Sequence, residues 1–305
     1  MSWQSCINNV CDKAEGIQDH LVPVDIRWEE YNILKLNPDK RSKQIQSLFY
    51  TGLCEPNNGI EYTFVPTKSM LDNEALLIKL YEKLKVKEHK IELCNEVYFT
   101  AKIEGAKTTI ARTIQIHDGA EVDVENYFSE KMIQGCFNAT KVMNSIAGKV
   151  NHKTLRIMWE TLTEGCCDNY DIRGTQYRVG PVQVGNHVGL NHLLLTDAMS
   201  SWIDYYNSKE LENHPFIKAI LLHFVFESIH PFCDGNGRAG RLLMNNYLIY
   251  NGFENLKAVS FSRSIDKDRY GYDAAFDKSE NLYSDCTFFI EYMLGRMLDA
   301  FADIF

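Results

Sequence analysis

The chain has 305 residues, 45% of them hydrophobic, and a formal net charge of −9. That length supports one large domain or two smaller ones, and the hydrophobic content excludes disorder as the default. The acidic balance excludes a generic nucleic-acid binder, which needs a clustered excess of Lys and Arg, and no run of about twenty apolar residues predicts a membrane span.

The N-terminus, MSWQSCINNVCDKAEG, lacks the basic and then apolar pattern of a signal peptide, so a cytoplasmic protein is expected. Nine scattered cysteines without a CxxC pair suggest neither a disulfide framework nor a zinc site; the neighbours Cys166 and Cys167 read as free thiols.

In chain order, YTFV near Tyr62 predicts a short strand, and DNEALLIKLYEKL from Asp72 a helix. The segment KIELCNEVYFTAKIE predicts a second helix that ends at Glu104, before Gly105. Glu104 then sits at the negative pole of its helix, where a carboxylate is disfavoured without a cationic partner. A long helix is expected from about Val124 to Ala147. QYRVGPVQVGN, from Gln176, has the alternation of a hairpin, with Gly180 and Pro181 as its turn residues.

Pro215 suits the first turn of a helix that runs to Ile229, apolar almost all round and hence central. A further helix is expected to start near Gly237 or Arg238 and to stop before Gly252. In the last helix Phe289, Met293, Met297 and Phe301 fall on one stripe with Ile290, Leu294 and Leu298, the pattern of a core-facing element. No basic segment follows it, so no DNA-binding tail is expected. The fold class is therefore mainly α with a minor β element.

Between the two central helices stands HPFCDGNGRAGR, His230 to Arg241. A tight loop that runs into a helix N-terminus aims free backbone N–H groups and a positive dipole at whatever lies in front, which makes an anion site. Gly235 and Gly237 allow a ligand close to the backbone, and Asn236 between them is expected to take the left-handed conformation of an N–H nest. Arg238 and Arg241 share a face of the first turn, where the dipole disfavours cations, and two such arginines fit a di- or triphosphate. Asp234 supplies a hard oxygen ligand suited to Mg2+. His230 has the ordinary pKa to accept a proton from an attacking hydroxyl.

HPFCDGNGRAGR resembles the HxFx(D/E)GNGRxxR signature of Fic-domain (Fic/Doc) proteins at every fixed position: His230, Phe232, Asp234, Gly235, Asn236, Gly237, Arg238 and Arg241. The resemblance implies a Fic-type helical bundle with a small β-hairpin flap, and transfer of AMP from ATP to a Tyr, Thr or Ser hydroxyl of a target protein. His230 would be the base and Asp234 the Mg2+ ligand. Gly235, Asn236 and Gly237 would cradle phosphates, Arg238 and Arg241 would hold the β and γ phosphates, and Phe232 would anchor the loop.

GTQYRVGPVQVGN resembles the flap of the family, with Val182, Gln183 and Val184 as the target-docking strand. SIDKDRYGYDAAF resembles the segment NRxxYY on the adenine side, where Arg269 and Tyr272 match while Asp268 and Asp273 depart from it. Tyr272 would thus contact the nucleotide, unless it is a core tyrosine.

TAKIEG matches the inhibitory (S/T)xxxE(G/N) helix through Thr100, Glu104 and Gly105, which implies that Glu104 pairs with Arg241 and denies it to the γ-phosphate. The implied organisation is an N-terminal helical region, 1–118, that carries the brake, and a catalytic domain, 119–305. Alternatives are removal of AMP from modified proteins, with Glu104 orienting a water, and a non-catalytic ATP-sensing regulator. The family also leaves room for homo-oligomerisation.

Overall fold

The computed structural model describes residues 49–54, 59, 61–84, 90–167, 175–184, 187–280 and 284–305. Strand β1 (Phe49–Cys54) pairs antiparallel with β2 (Glu61–Phe64). Helices α1 (Lys68–Lys83), α2 (Lys90–Ile103), α3 (Ile110–His117), α4 (Tyr127–Ser145) and α5 (His152–Leu162) follow. The hairpin of β3 (Gln183–Val184) and β4 (His187–Val188) leads to α6 (Leu195–Asn207), α7 (Pro215–Ile229) and α8 (Asn236–Tyr250). The chain closes with α9 (Phe261–Lys267), α10 (Arg269–Glu280) and α11 (Thr287–Ala302). The mainly α expectation holds, and no helix among the described residues is long and apolar enough to cross a membrane.

Helix α7 is central because its sequence leaves no polar face: apart from Glu227 and Ser228, all its residues are buried. Pro215 opens it, as expected, at a position that needs no N–H bond. The next N–H groups are capped from far away, by Glu74 of α1, whose Oε1 accepts from Phe216 at 3.0 Å and Ile217 at 3.1 Å. Its other oxygen meets Nδ1 of His214 at 2.6 Å. Around α7 pack α8, α6 and α11. Phe289, Met293, Met297 and Phe301 of α11 are all fully buried, with Ile290 and Leu294, which is the expected stripe.

One continuous core runs from Leu53 to Phe301 and is shared by the segments on both sides of residue 118. Strand β1 was not anticipated, because FYTGLC carries a glycine mid-strand. Gly52 has φ 77° within an irregular stretch of the β1–β2 register. The edge of β2 is tied to the chain entering α11, through Thr63 N–H to Ser284 O and Cys286 N–H to Thr63 O.

The flap hairpin corrects the expected turn. Gln183 pairs with Val188 and Val184 with His187, so the chain reverses between Val184 and His187 and not at Gly180–Pro181. Gly189 N–H extends the ladder to Val182 O at 3.1 Å. Gly180 and Pro181 form the root of the hairpin instead, where the Gly180 carbonyl is taken by Arg178.

Candidate active site

The loop between α7 and α8 is built around Phe232, which is 1% exposed and stacks on Trp159 of α5 at 4.9 Å. Trp159 Nε1–H donates to Asp234 O at 2.7 Å. Asn236 closes the loop from within, as its Oδ1 accepts from Phe232 N at 2.9 Å and its Nδ2 donates to Phe232 O at 2.8 Å. The left-handed residue is therefore not Asn236, which is the first helical residue of α8, but Gly235 at φ 77°. Only glycine adopts that geometry without cost. Asn236 spends its side chain on the loop and offers a ligand only its backbone N–H.

The first-turn N–H groups of Asn236, Gly237 and Arg238 have no hydrogen-bond partner among the described residues, and no side chain caps the helix. Arg238 is 1% exposed, yet its Nε and Nη2 lack hydrogen-bond partners. Its Nη1 touches Cys166 Sγ at 3.4 Å, and Asp234 Oδ2 stands 3.5 Å from Nη2. A buried guanidinium so poorly matched is costly unless an anion completes it. The cavity of about 30 Å³ that Arg238 lines with Leu93, Thr100, Cys136 and Leu162 has room for water and not for a nucleotide. Asp234 presents a carboxylate that is 45% exposed, with Oδ1 accepting from Gly235 N at 2.6 Å. One open hard oxygen fits Mg2+ whose other ligands are phosphate and water; no cluster of three or more metal-binding side chains occurs among the described residues.

His230 caps α7 in the left-handed conformation, φ 51° and ψ 61°. Its Nδ1 lies 3.3 Å from Glu227 O, an acceptor only, so Nδ1 carries the proton and Nε2 keeps its lone pair. Burial, with a smaller contribution from His187, pushes its pKa down to about 4, and the imidazole is neutral at pH 7. His187 of β4 lies beside it, ring centroids 6.3 Å apart.

Glu104 reaches this site from the end of α2. Gly105, at φ 89°, ends the helix as expected, with Gly105 N–H on Lys102 O and Ala106 N–H on Ala101 O, a Schellman arrangement. Glu104 Oε1 accepts from Arg241 Nη2 at 2.6 Å, while Thr100 accepts from the same guanidinium through Oγ1 at 2.8 Å and its carbonyl at 3.1 Å. Burial works against the carboxylate, but Arg241, joined by Arg238 and Arg269, holds its pKa below the usual range. A Cβ on Gly237 would collide with Glu104 Oε1. The carboxylate thus rests on the first turn of α8, in the place offered to an anion.

Tyr272 is a correction. It is 4% exposed, its hydroxyl meets His223 Nε2 at 2.7 Å, and its ring packs on Phe276, so it is a core tyrosine and offers no surface to a base here. Of the docking residues, Gln183 and Val184 form β3 and Val182 precedes it. Sequence reading missed Trp159 and Arg178, both of which hold the loop by its carbonyls. The signal for the second was an arginine within the apolar alternation of QYRVG. Cys166 and Cys167 are free, as expected, with Cys167 Sγ 3.8 Å from Cys233 Sγ.

Residues 150–248 match the model of the Fic/DOC family. This segment is therefore similar to a Fic domain. The protein adenylyltransferase Fic of Drosophila ananassae is 33% identical over 166 residues, 52% of this chain and 32% of that protein. Its counterpart in Drosophila virilis is 32% identical over 166 residues. The match thus spans about a third, 32%, of the relative's own length. Among solved structures, a Fic family protein from Desulfovibrio desulfuricans G20 has a TM-score of 0.68 at 23% identity, covering 79% of this chain and 75% of that one. Fic-1 (aa134–508) from C. elegans has a TM-score of 0.66 at 15% identity, covering 98% and 96%. The Fic loop, 230–241, lies inside the matched residues; Glu104 and Thr100 lie outside them.

Proposed function

We propose that the chain transfers AMP from ATP to a hydroxyl side chain of a target protein, and that Glu104 holds this activity in check. The observation that carries the reading is the juxtaposition of a neutral His230, Nε2 unprotonated, with a helix N-terminus whose buried Arg238 has two nitrogens without hydrogen-bond partners. Relatives named protein adenylyltransferase at 33% identity support it.

The acceptor oxygen bonds to the α-phosphorus, the bond to the β-phosphate's bridging oxygen breaks, pyrophosphate leaves, and the hydroxyl proton passes to His230 Nε2. Displacement of this kind is chiefly positioning and charge neutralisation. The N–H groups of residues 236–238 and Arg238 bind phosphate oxygens, and Arg241 joins them once freed. Asp234 would hold Mg2+, which neutralises phosphate charge when bound. The flap, a two-stranded sheet, supports docking of a target segment by strand addition. Residues 1–118 would supply regulation and 119–305 catalysis. The free cysteines of the described residues support a reducing, cytoplasmic setting.

Two contacts support the brake reading: Arg241 is committed to Thr100 and Glu104, and the Glu104 carboxylate lies over Gly237, where this reading puts a phosphate. Incubation with α-labelled ATP and Mg2+ tests both parts. Label is expected on Glu104→Gly and neither on wild type nor on Glu104→Gly with His230→Ala. A folded Glu104→Gly protein that labels no better than wild type overturns the brake; label that survives His230→Ala overturns the base.

A further inference from the structure

Arg178 takes no part in the steps above, yet it is 4% exposed and bonds to the backbone at and on either side of His230. Its guanidinium is satisfied by backbone carbonyls alone. Nε donates to His230 O at 2.7 Å and Nη1 to Gly180 O at 2.6 Å. Nη2 donates to Leu190 O and, at 3.5 Å, to Ile229 O. Its own N–H donates to Pro231 O at 3.0 Å. One side chain thereby grips both roots of the flap, at 180 and 190, and the carbonyls on either side of the α7 terminus.

No carboxylate among the described residues pairs with this buried cation, and burial pushes its pKa down. What offsets the charge is the C-terminal end of α7, whose last carbonyls have no helical partners and carry the negative pole. His230 needs such a grip, because its left-handed backbone is a conformation other residues than glycine keep only when their surroundings impose it. Gly189 leaves little room beside it for a side chain. A Cβ on Gly189 would collide with Val182 Cγ1 and stand 3.1 Å from Arg178 Nη2 and 3.2 Å from His230 Cβ.

We propose that Arg178 is a positioning residue that makes the flap and His230 one mechanical unit, so that a target segment seated on β3 meets a base held in fixed register with it. This rests on the reading of His230 as the base, and the test separates the two. The variants are Arg178→Lys, which keeps the charge but not the planar fork, and Gly189→Ala, each in the Glu104→Gly protein.

Loss of the grip is expected to speed exchange of the backbone amide at position 189 by about tenfold or more. It is also expected to move the NMR titration of the His230 ring from near 4 toward the ordinary 6.5. Automodification with α-labelled ATP should fall about 100-fold through kcat, as misplacement by an ångström does, with the KM for ATP unchanged. Unaltered flap exchange and an unaltered His230 titration overturn the proposal, and so does a KM for ATP that rises as far as kcat falls. If the Glu104→Gly parent transfers no AMP, the adenylyl reading fails, while exchange and titration still decide whether Arg178 couples flap and histidine.

Discussion

Glu227 shows how the residues behind a site can set the behaviour of the whole protein. It lies on α7 just before His230, and its carbonyl fixes the imidazole tautomer. Its carboxyl is 13% exposed and stands 4.0 Å from His223 Nδ1, and neither Glu227 Oε1 nor that nitrogen has a hydrogen-bond partner among the described residues. Burial raises its pKa to about 8; Arg241 pulls it down and Glu104 pushes it up. The folded state therefore holds a proton that the unfolded chain, with an ordinary value of 4.5, has released by neutral pH. Its contribution to stability is fully present below 4.5 and is lost as pH rises through about 8. His230 runs the other way: depressed to about 4, it contributes above 6.5 and loses that contribution as pH falls through about 4. Glu227→Gln, neutral at every pH, is expected to gain on wild type as pH rises from about 5 to about 8.5 and then to level off. Urea midpoints across that range check this, and a difference independent of pH would contradict it.

At the scale of elements, α2 has two attachments of different character. Its middle is fixed by Glu96, which accepts from Asn245 Nδ2 at 2.9 Å, Ser260 Oγ at 3.0 Å, and Ser262 N and Oγ at 2.9 and 2.6 Å. Its last turn is held by Thr100 and Glu104 on Arg241, and on the surface by Lys102 with Asp266 at 2.7 Å. Release by Glu104→Gly is therefore expected to be local. Amides of Thr100 to Gly105 should exchange faster while those near Glu96 keep their protection; loss of protection along all of α2 would show that the helix undocks as a body. The helix and its C-terminal glycine were legible because period and cap are local signals. The anchor at Glu96 was not, because its partners lie some 150 positions onward. The flap failed for a related reason: Gly180–Pro181 is the stronger local turn signal, but Arg178 claims the Gly180 carbonyl and the reversal moves down the chain.

For the whole molecule, one coupling that bears on stability joins α1 to the central helix. Glu74 is 3% exposed and caps α7 through Phe216 and Ile217, a task usually done by a residue beside the helix. Its removal in Glu74→Ala leaves buried N–H groups unmet and is expected to cost about 1–3 kcal/mol. Denaturant unfolding at constant m would record it, and an unchanged midpoint would mean that water replaces the carboxylate. The architecture was legible wherever a face repeats with the helical period, as in α7 and α11, and the Fic loop was legible because its residues are contiguous. Asn236 and Tyr272 were misplaced because a sequence displays residue type without direction: one turns its amide inward to Phe232, the other its hydroxyl to His223.

The join of α7 to α8 has an electrical consequence. The first helix ends at Ile229 and the second begins at Asn236, so the negative pole of one is followed, after the loop 230–235, by the positive pole of the other. His230 sits at the first and the anion position at the second. A local field of this kind favours positive charge growing on the imidazole and negative charge gathering over Gly237 at the same moment. The loop behaves like a small capacitor charged during folding, whose field is already oriented when a substrate arrives.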